Sequence, residues 1–128
     1  TLPERGAYDI CILCWWEDDG QDDQDADVVC GGPNGILSLT EARANFLDHF
    51  TMYRVGEDTR IGGGDSPTAV DAKREIIRSF ERLGHSGSRA DAAEAWVTIE
   101  RNEAILQAET QRKIREYESA LKGGSRTA

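Results

Sequence analysis

Apolar residues recur at helical spacing through the second half of the chain. Val70, Ile77 and Phe80 mark one inner stripe, flanked by Ile76 and Leu83. Ser66-Pro67 opens this helix, with Ser66 as N-cap and Pro67 at the first helical position, and Gly84 ends it. After the short connection His85–Ser88 a second stripe begins: Ala92, Trp96, Ile99, Leu106, Ile114, Tyr117 and Leu121. Ser88 caps that helix, Asp91 follows three residues on, and Gly123-Gly124 closes it. A connection this short returns the chain antiparallel. At 1.5 Å per residue the two helices span about 26 and about 50 Å, so the last one overhangs its neighbour. An earlier helix, Leu39–Met52, starts at a capping box, Ser38-Leu39-Thr40-Glu41, and places Leu39, Ala42, Phe46 and Phe50 on one side.

The first 37 residues follow another pattern. In Ala7–Leu13, Tyr8, Ile10 and Ile12 alternate with Ala7, Asp9 and Cys11, which predicts a strand whose hairpin partner lies before Gly6. Gly31-Gly32-Pro33-Asn34-Gly35 is a turn. Gly62-Gly63-Gly64-Asp65 lacks the Lys-Ser/Thr of a phosphate loop and reads as a hinge. The expected fold is α+β and mostly α, with a small N-terminal β or zinc-ribbon-like element packed on a helical bundle with one long C-terminal helix. A single domain over 1–128 is expected: a cysteine-rich acidic lobe at 1–37, a helical part at 38–122 and a frayed tail at 123–128.

Charge sharpens the division. The formal net charge is −9. Residues 1–30 carry nine acids against Arg5 alone, a net of −8, while the other 98 residues are nearly balanced. Phosphate binding and anionic membranes both call for clustered Lys and Arg, so neither nucleic acid nor membrane is the expected partner. A basic protein or a cation is the natural complement. The chain holds no run of 18 apolar residues and three cysteines, which points to a reducing cytoplasm.

The candidate chemistry lies between Cys11 and Asp27. Cys11 and Cys14 have zinc-knuckle spacing, but a structural site takes four ligands. Cys30, His49 and His85 complete no recognisable pattern, so the pair is metal-binding only if further ligands lie upstream of Thr1. The cofactor expectation is therefore none or zinc. Trp15 and Trp16 face opposite ways in an extended chain, one into the core and the other either a lid over the cysteine site or an anchor for a partner. Glu17–Asp27 holds seven acids and no base. A calcium loop fails, because aligning Gly20 to its glycine puts Trp15 where the first Asp belongs. The remaining readings are a solvated loop and a docking surface for a basic partner. The partner-binding candidates are Trp16, Glu17, Asp18, Asp19, Asp22, Asp23, Asp25 and Asp27. No nucleophile stands at a catalytic spacing from His49 or His85, and a flexible acidic loop lacks the converging geometry of a hydrolase.

The run Gly6-Ala7-Tyr8-Asp9-Ile10-Cys11-Ile12-Leu13-Cys14-Trp15-Trp16-Glu17-Asp18-Asp19, then Gly31–Gly35 and Ser38-Leu39-Thr40-Glu41-Ala42-Arg43, resembles the bacterial cysteine-rich CPCC family over about residues 1–50. That family shows Gly-x-Tyr-x-Ile-Cys-Pro-Val-Cys-x-Trp-Glu-Asp-Asp. Here Ile12-Leu13 replaces Pro-Val, and the family's first Cys-Pro-Cys-Cys motif would fall before Thr1-Leu2. The resemblance implies a small bacterial accessory protein. On that basis the expected function is a non-catalytic, cytoplasmic immunity protein that occludes a basic cognate toxin; the alternative is a zinc-ribbon-type adaptor or regulator.

Overall fold

The computed structural model describes residues 6–85 and 87–124. Three α-helices are present among them: α1, Leu39–His49; α2, Pro67–His85; and α3, Arg89–Gly124. The chain divides into two compact units, Thr1–Asp58 and Thr59–Ala128. The helix α1 thus belongs with the acidic lobe. No described helix is long and apolar enough to cross a membrane.

The α+β expectation is overturned: the described residues contain no strand or sheet, and neither a β element nor a zinc ribbon. Ala7–Leu13 makes only one isolated antiparallel bridge, Ile10 with Glu17. Tyr8 and Trp15 adopt left-handed backbone, φ 61° and 71°, which interrupts extended geometry on both sides of the bridge. The chain turns at Ile12–Cys14, where Trp15 N–H donates to Cys11 O at 2.8 Å. It then runs back beside itself, with Cys11 N–H on Trp16 O, Asp18 N–H on Asp9 O and Tyr8 N–H on Asp18 O, each 2.9 Å. The segment after Cys14 is thus the partner seen among the described residues; the expected hairpin partner before Gly6 lies outside them. Two short 3₁₀ turns, Asp23–Asp25 and Gly32–Asn34, lead to α1.

The core of the first unit is small: Trp16, Leu37, Ala42 and Met52 are buried, and Cys14, Leu39 and Tyr53 pack against them. Ser38 caps α1 by accepting from Glu41 N–H at 3.1 Å. The Glu41 side chain leaves the expected capping box for Arg54, with bonds of 2.6 and 3.0 Å. α1 ends three residues before Met52, because Phe50 turns left-handed at φ 67° and returns its N–H to Phe46 O.

In the second unit α2 and α3 form an antiparallel hairpin. Ser66 and Ser88 cap them as the sequence implies, accepting from Ala69 and Asp91 N–H at 3.1 Å each. The seam differs from the expected stripes. Ala69, Ala72, Ile76 and Ser79 of α2 are buried, as are Ala95, Ile99, Asn102 and Leu106 of α3. Spacings alternate between three and four residues, and the many small side chains let two helices approach closely. Phe80 and Trp96, both assigned to inner stripes, instead meet edge to face at 5.9 Å on the flank, with Trp96 49% exposed. The Gly62–Gly64 loop docks on α3: Ser66 Oγ donates to Glu109 at 2.7 Å, and Lys113 Nζ donates to Gly64 O. Gly62 needs to be glycine here, since its φ is +80° and a Cβ would meet the Lys113 side chain at 3.2 Å. Beyond that loop α3 continues through Gly124, with Tyr117 and Leu121 exposed.

Candidate functional site

The first unit carries 13 acids against Arg5, Arg43 and Arg54, a net charge of −10, leaving +1 for the second. The acidity therefore coincides with one folded unit, and its carboxylates are held by an ordered backbone.

Four carboxylates of the segment following Trp16 serve the fold. Asp18 is buried and accepts from Gly6 N–H at 2.6 Å and Gly20 N–H at 3.1 Å. Asp19 accepts from Gln21 N–H at 3.2 Å and from Asn34 Nδ2 at 3.4 Å. Asp22 caps the first 3₁₀ turn, and Asp25 reaches back to Asp22 N–H at 2.8 Å, a complete capping box. Seven acids so close would repel one another into an open loop; the backbone N–H groups they accept from offset part of that repulsion and order the turn. Asp23, Asp25 and Asp27 remain on the surface. Asp23 pairs with Arg43 of α1 at 2.8 Å, and Asp27 accepts from Thr40 Oγ1 at 2.5 Å. These two links tie the acidic turn to the first helix.

Trp16 is buried in the core and does not present an anchor to a partner. Trp15 is half-buried. Glu17 is half-buried as well, and its backbone is clamped by a side chain that no sequence motif singles out. Asn34 is buried and accepts from Glu17 N–H at 3.0 Å while donating to Glu17 O at 2.8 Å. One amide thereby satisfies both backbone groups of Glu17 and fastens the Gly31–Gly35 turn to the acidic segment. Arg43 is equally unmarked: nothing within Glu41-Ala42-Arg43 signals its pairing across 20 residues. Gln21 is buried, with Nε2 donating to Val28 O at 2.6 Å and to Cys30 Sγ at 2.9 Å. Val28, Val29 and Ile36 are exposed near this turn in sequence.

Cys11 and Cys14 stand at the two ends of the Ile12–Leu13 turn, half-buried, and Cys30 is exposed. No group of three or more His, Cys, Asp or Glu residues is arranged to hold a metal among the described residues. Two thiols do not make the four-ligand tetrahedral site that structural zinc requires. The residues described here therefore do not fit a complete zinc centre.

The family model described as Cysteine-rich CPCC matches residues 1–59. The match covers the whole first unit and ends one residue past it, so the family likeness belongs to that unit and the helical hairpin lies outside it. Comparison with curated proteins and with solved structures gives no match.

Proposed function

Taking the cysteine-rich CPCC character of the first unit as premise, we propose that this chain is a non-catalytic acidic binding protein, an immunity protein that neutralises a cognate bacterial toxin by occluding it. The observation that carries this reading is the confinement of a −10 charge to one unit whose acidic turn is ordered. A fixed array of carboxylates steers a basic partner and fixes its register better than a mobile loop of equal charge. The non-catalytic reading rests on the same geometry. Asp18, Asp19, Asp22 and Asp25 spend their oxygens on the chain's own N–H groups and do not converge on a reacting centre. With Trp16 in the core, the apolar part of the contact passes to exposed residues such as Val28 and Val29.

The test uses the product of the adjacent gene as the partner. Asp22→Asn, Asp23→Asn and Asp25→Asn keep the hydrogen-bond acceptors while removing three charges. The combined variant should lower the association rate at low salt by about 3- to 10-fold, a fraction of the 10- to 1,000-fold that steering supplies. Its salt dependence should flatten, and its dissociation rate should change little. An association rate equal to the parent's at every salt concentration sinks the electrostatic reading.

The zinc-ribbon adaptor has lost its scaffold, since no ribbon is present among the described residues. Native mass spectrometry of the 128-residue chain with one equivalent of zinc should show no stoichiometric adduct surviving a weak chelator. A retained ion that disappears in Cys11→Ser would reverse that expectation.

A further inference from the structure

His49 closes the last turn of α1, and both of its ring nitrogens face acceptors. Nε2 lies 2.5 Å from Tyr53 O and Nδ1 lies 3.0 Å from Asp48 Oδ2. A neutral imidazole carries one N–H, so it can donate to one of these and must turn a lone pair toward the other. Only the imidazolium satisfies both. The helix C-terminus favours the same cationic form.

The segment that His49 grips is structurally central. Asn45 Nδ2, one turn earlier on α1, donates to Met52 O at 2.8 Å. Met52 N–H donates to Cys14 O at 2.8 Å, and Met52 is buried against Trp16, Leu37 and Ala42. Residues 51–53 are thus a strap, held by α1 on one side and clasping the cysteine turn on the other.

We propose that His49 is a pH-sensitive latch: as the imidazolium it fastens this strap to α1 with both ring N–H groups engaged, and on losing its proton it keeps only one of the two bonds, which weakens its hold on the strap and loosens the Cys11–Trp16 turn. Asp48 shares the helix of His49. Arg54 follows Tyr53 and is engaged by Glu41 of α1, with Glu57 4.0 Å away. The cysteine turn presents a backbone carbonyl, Cys14 O, to the strap. The His49 pKa is accordingly raised, first by the Tyr53 carbonyl and then by Asp48, against a smaller opposing effect of burial. A group whose folded pKa lies above its unfolded value stabilises fully below the unfolded value, near 6.5, and loses that contribution as pH rises through the folded value.

The experiment is an NMR titration of the full chain from pH 5.5 to 9, following the two imidazoles and the backbone amides. His49→Gln and His85→Gln assign the rings. The His49 midpoint should lie above 6.5, and the Met52 and Tyr53 amides should shift with the same midpoint. Amide exchange at Met52, corrected for intrinsic rate, should speed up above it. Asp48→Asn should lower the midpoint yet leave it above 6.5, because the Tyr53 carbonyl is the larger cause. In His49→Gln the amide steps should vanish while the fold persists at pH 6. A midpoint at or below 6.5, or Met52 and Tyr53 amides that do not follow it, overturns the latch.

Discussion

Asp65→Ala destabilises the second unit by about 3–5 kcal/mol. The Asp65 side chain is 9% exposed and accepts from Lys73 Nζ at 2.6 Å and from Arg60 Nη1 at 2.9 Å. Lys73 is 1% exposed, set on α2 among Ala69, Ala72 and Ile76. Removing the carboxylate leaves a buried ammonium and a nearly buried guanidinium facing one another without their shared counter-charge. The substitution also frees the Gly62–Gly64 loop, whose last residue precedes Asp65. Replacing the cation is a different experiment. Lys73→Met keeps the volume, removes the desolvation cost of the charge and leaves Asp65 to Arg60, so it should cost less than Asp65→Ala and can even stabilise. Urea unfolding followed by far-UV circular dichroism reads both, because α2 and α3 supply most of the helical signal. An Asp65→Ala curve within about 1 kcal/mol of the parent, outside the range for a broken buried pair, refutes this account of Lys73.

Trp16→Ala should unfold the first unit while sparing the hairpin. Truncating a buried Trp costs about 3–5 kcal/mol. The unit has only Leu37, Ala42 and Met52 as further buried members of that cluster, so the loss falls on a core with little reserve. It is also transmitted. Trp16 O accepts from Cys11 N–H, and Met52, against which Trp16 packs, holds Cys14 O. Hydrogen exchange resolved by unit should show protection lost across residues 6–58 and kept along α2 and α3. Trp16→Phe, which retains an aromatic ring, should keep the unit folded at reduced stability. Equal loss of protection in both units would mean that Trp16 supports more than its own core.

The sequence pattern identified the helix starts well, because an N-cap is a local signal: Ser38, Ser66 and Ser88 each accept the expected N–H. Helix ends and faces were harder. Phe50 stops α1 in a left-handed conformation that glycine usually supplies, so no residue announces it. Hydrophobicity draws the α2 stripe through Phe80, whereas the seam runs through Ile76 and the small residues Ala69, Ala72 and Ser79, which allow close approach. A buried Lys73 is illegible in principle, since its burial depends on Asp65 arriving from the preceding loop. The predicted strand failed for a similar reason. Its alternation is real, but left-handed Tyr8 and Trp15 break the ladder that alternation alone implies. Within the candidate site the density of acids was plain from the sequence. Their division into fold-keeping Asp18, Asp19, Asp22 and Asp25 and outward Asp23 and Asp27 was not, since it depends on which backbone N–H groups the turns leave to be capped.

The join between the two units falls between two closed turns, where Glu57 N–H returns to Arg54 O and Gly63 N–H to Arg60 O. A gene cut and respliced between them leaves intact each cap, ion pair and core described within either unit. The match to the cysteine-rich family stops at that same place. The acidic unit and the hairpin are thus separable as heritable parts: recombination can give the first a new C-terminal companion without redrawing its surface, and the two can diverge at different rates under different selection.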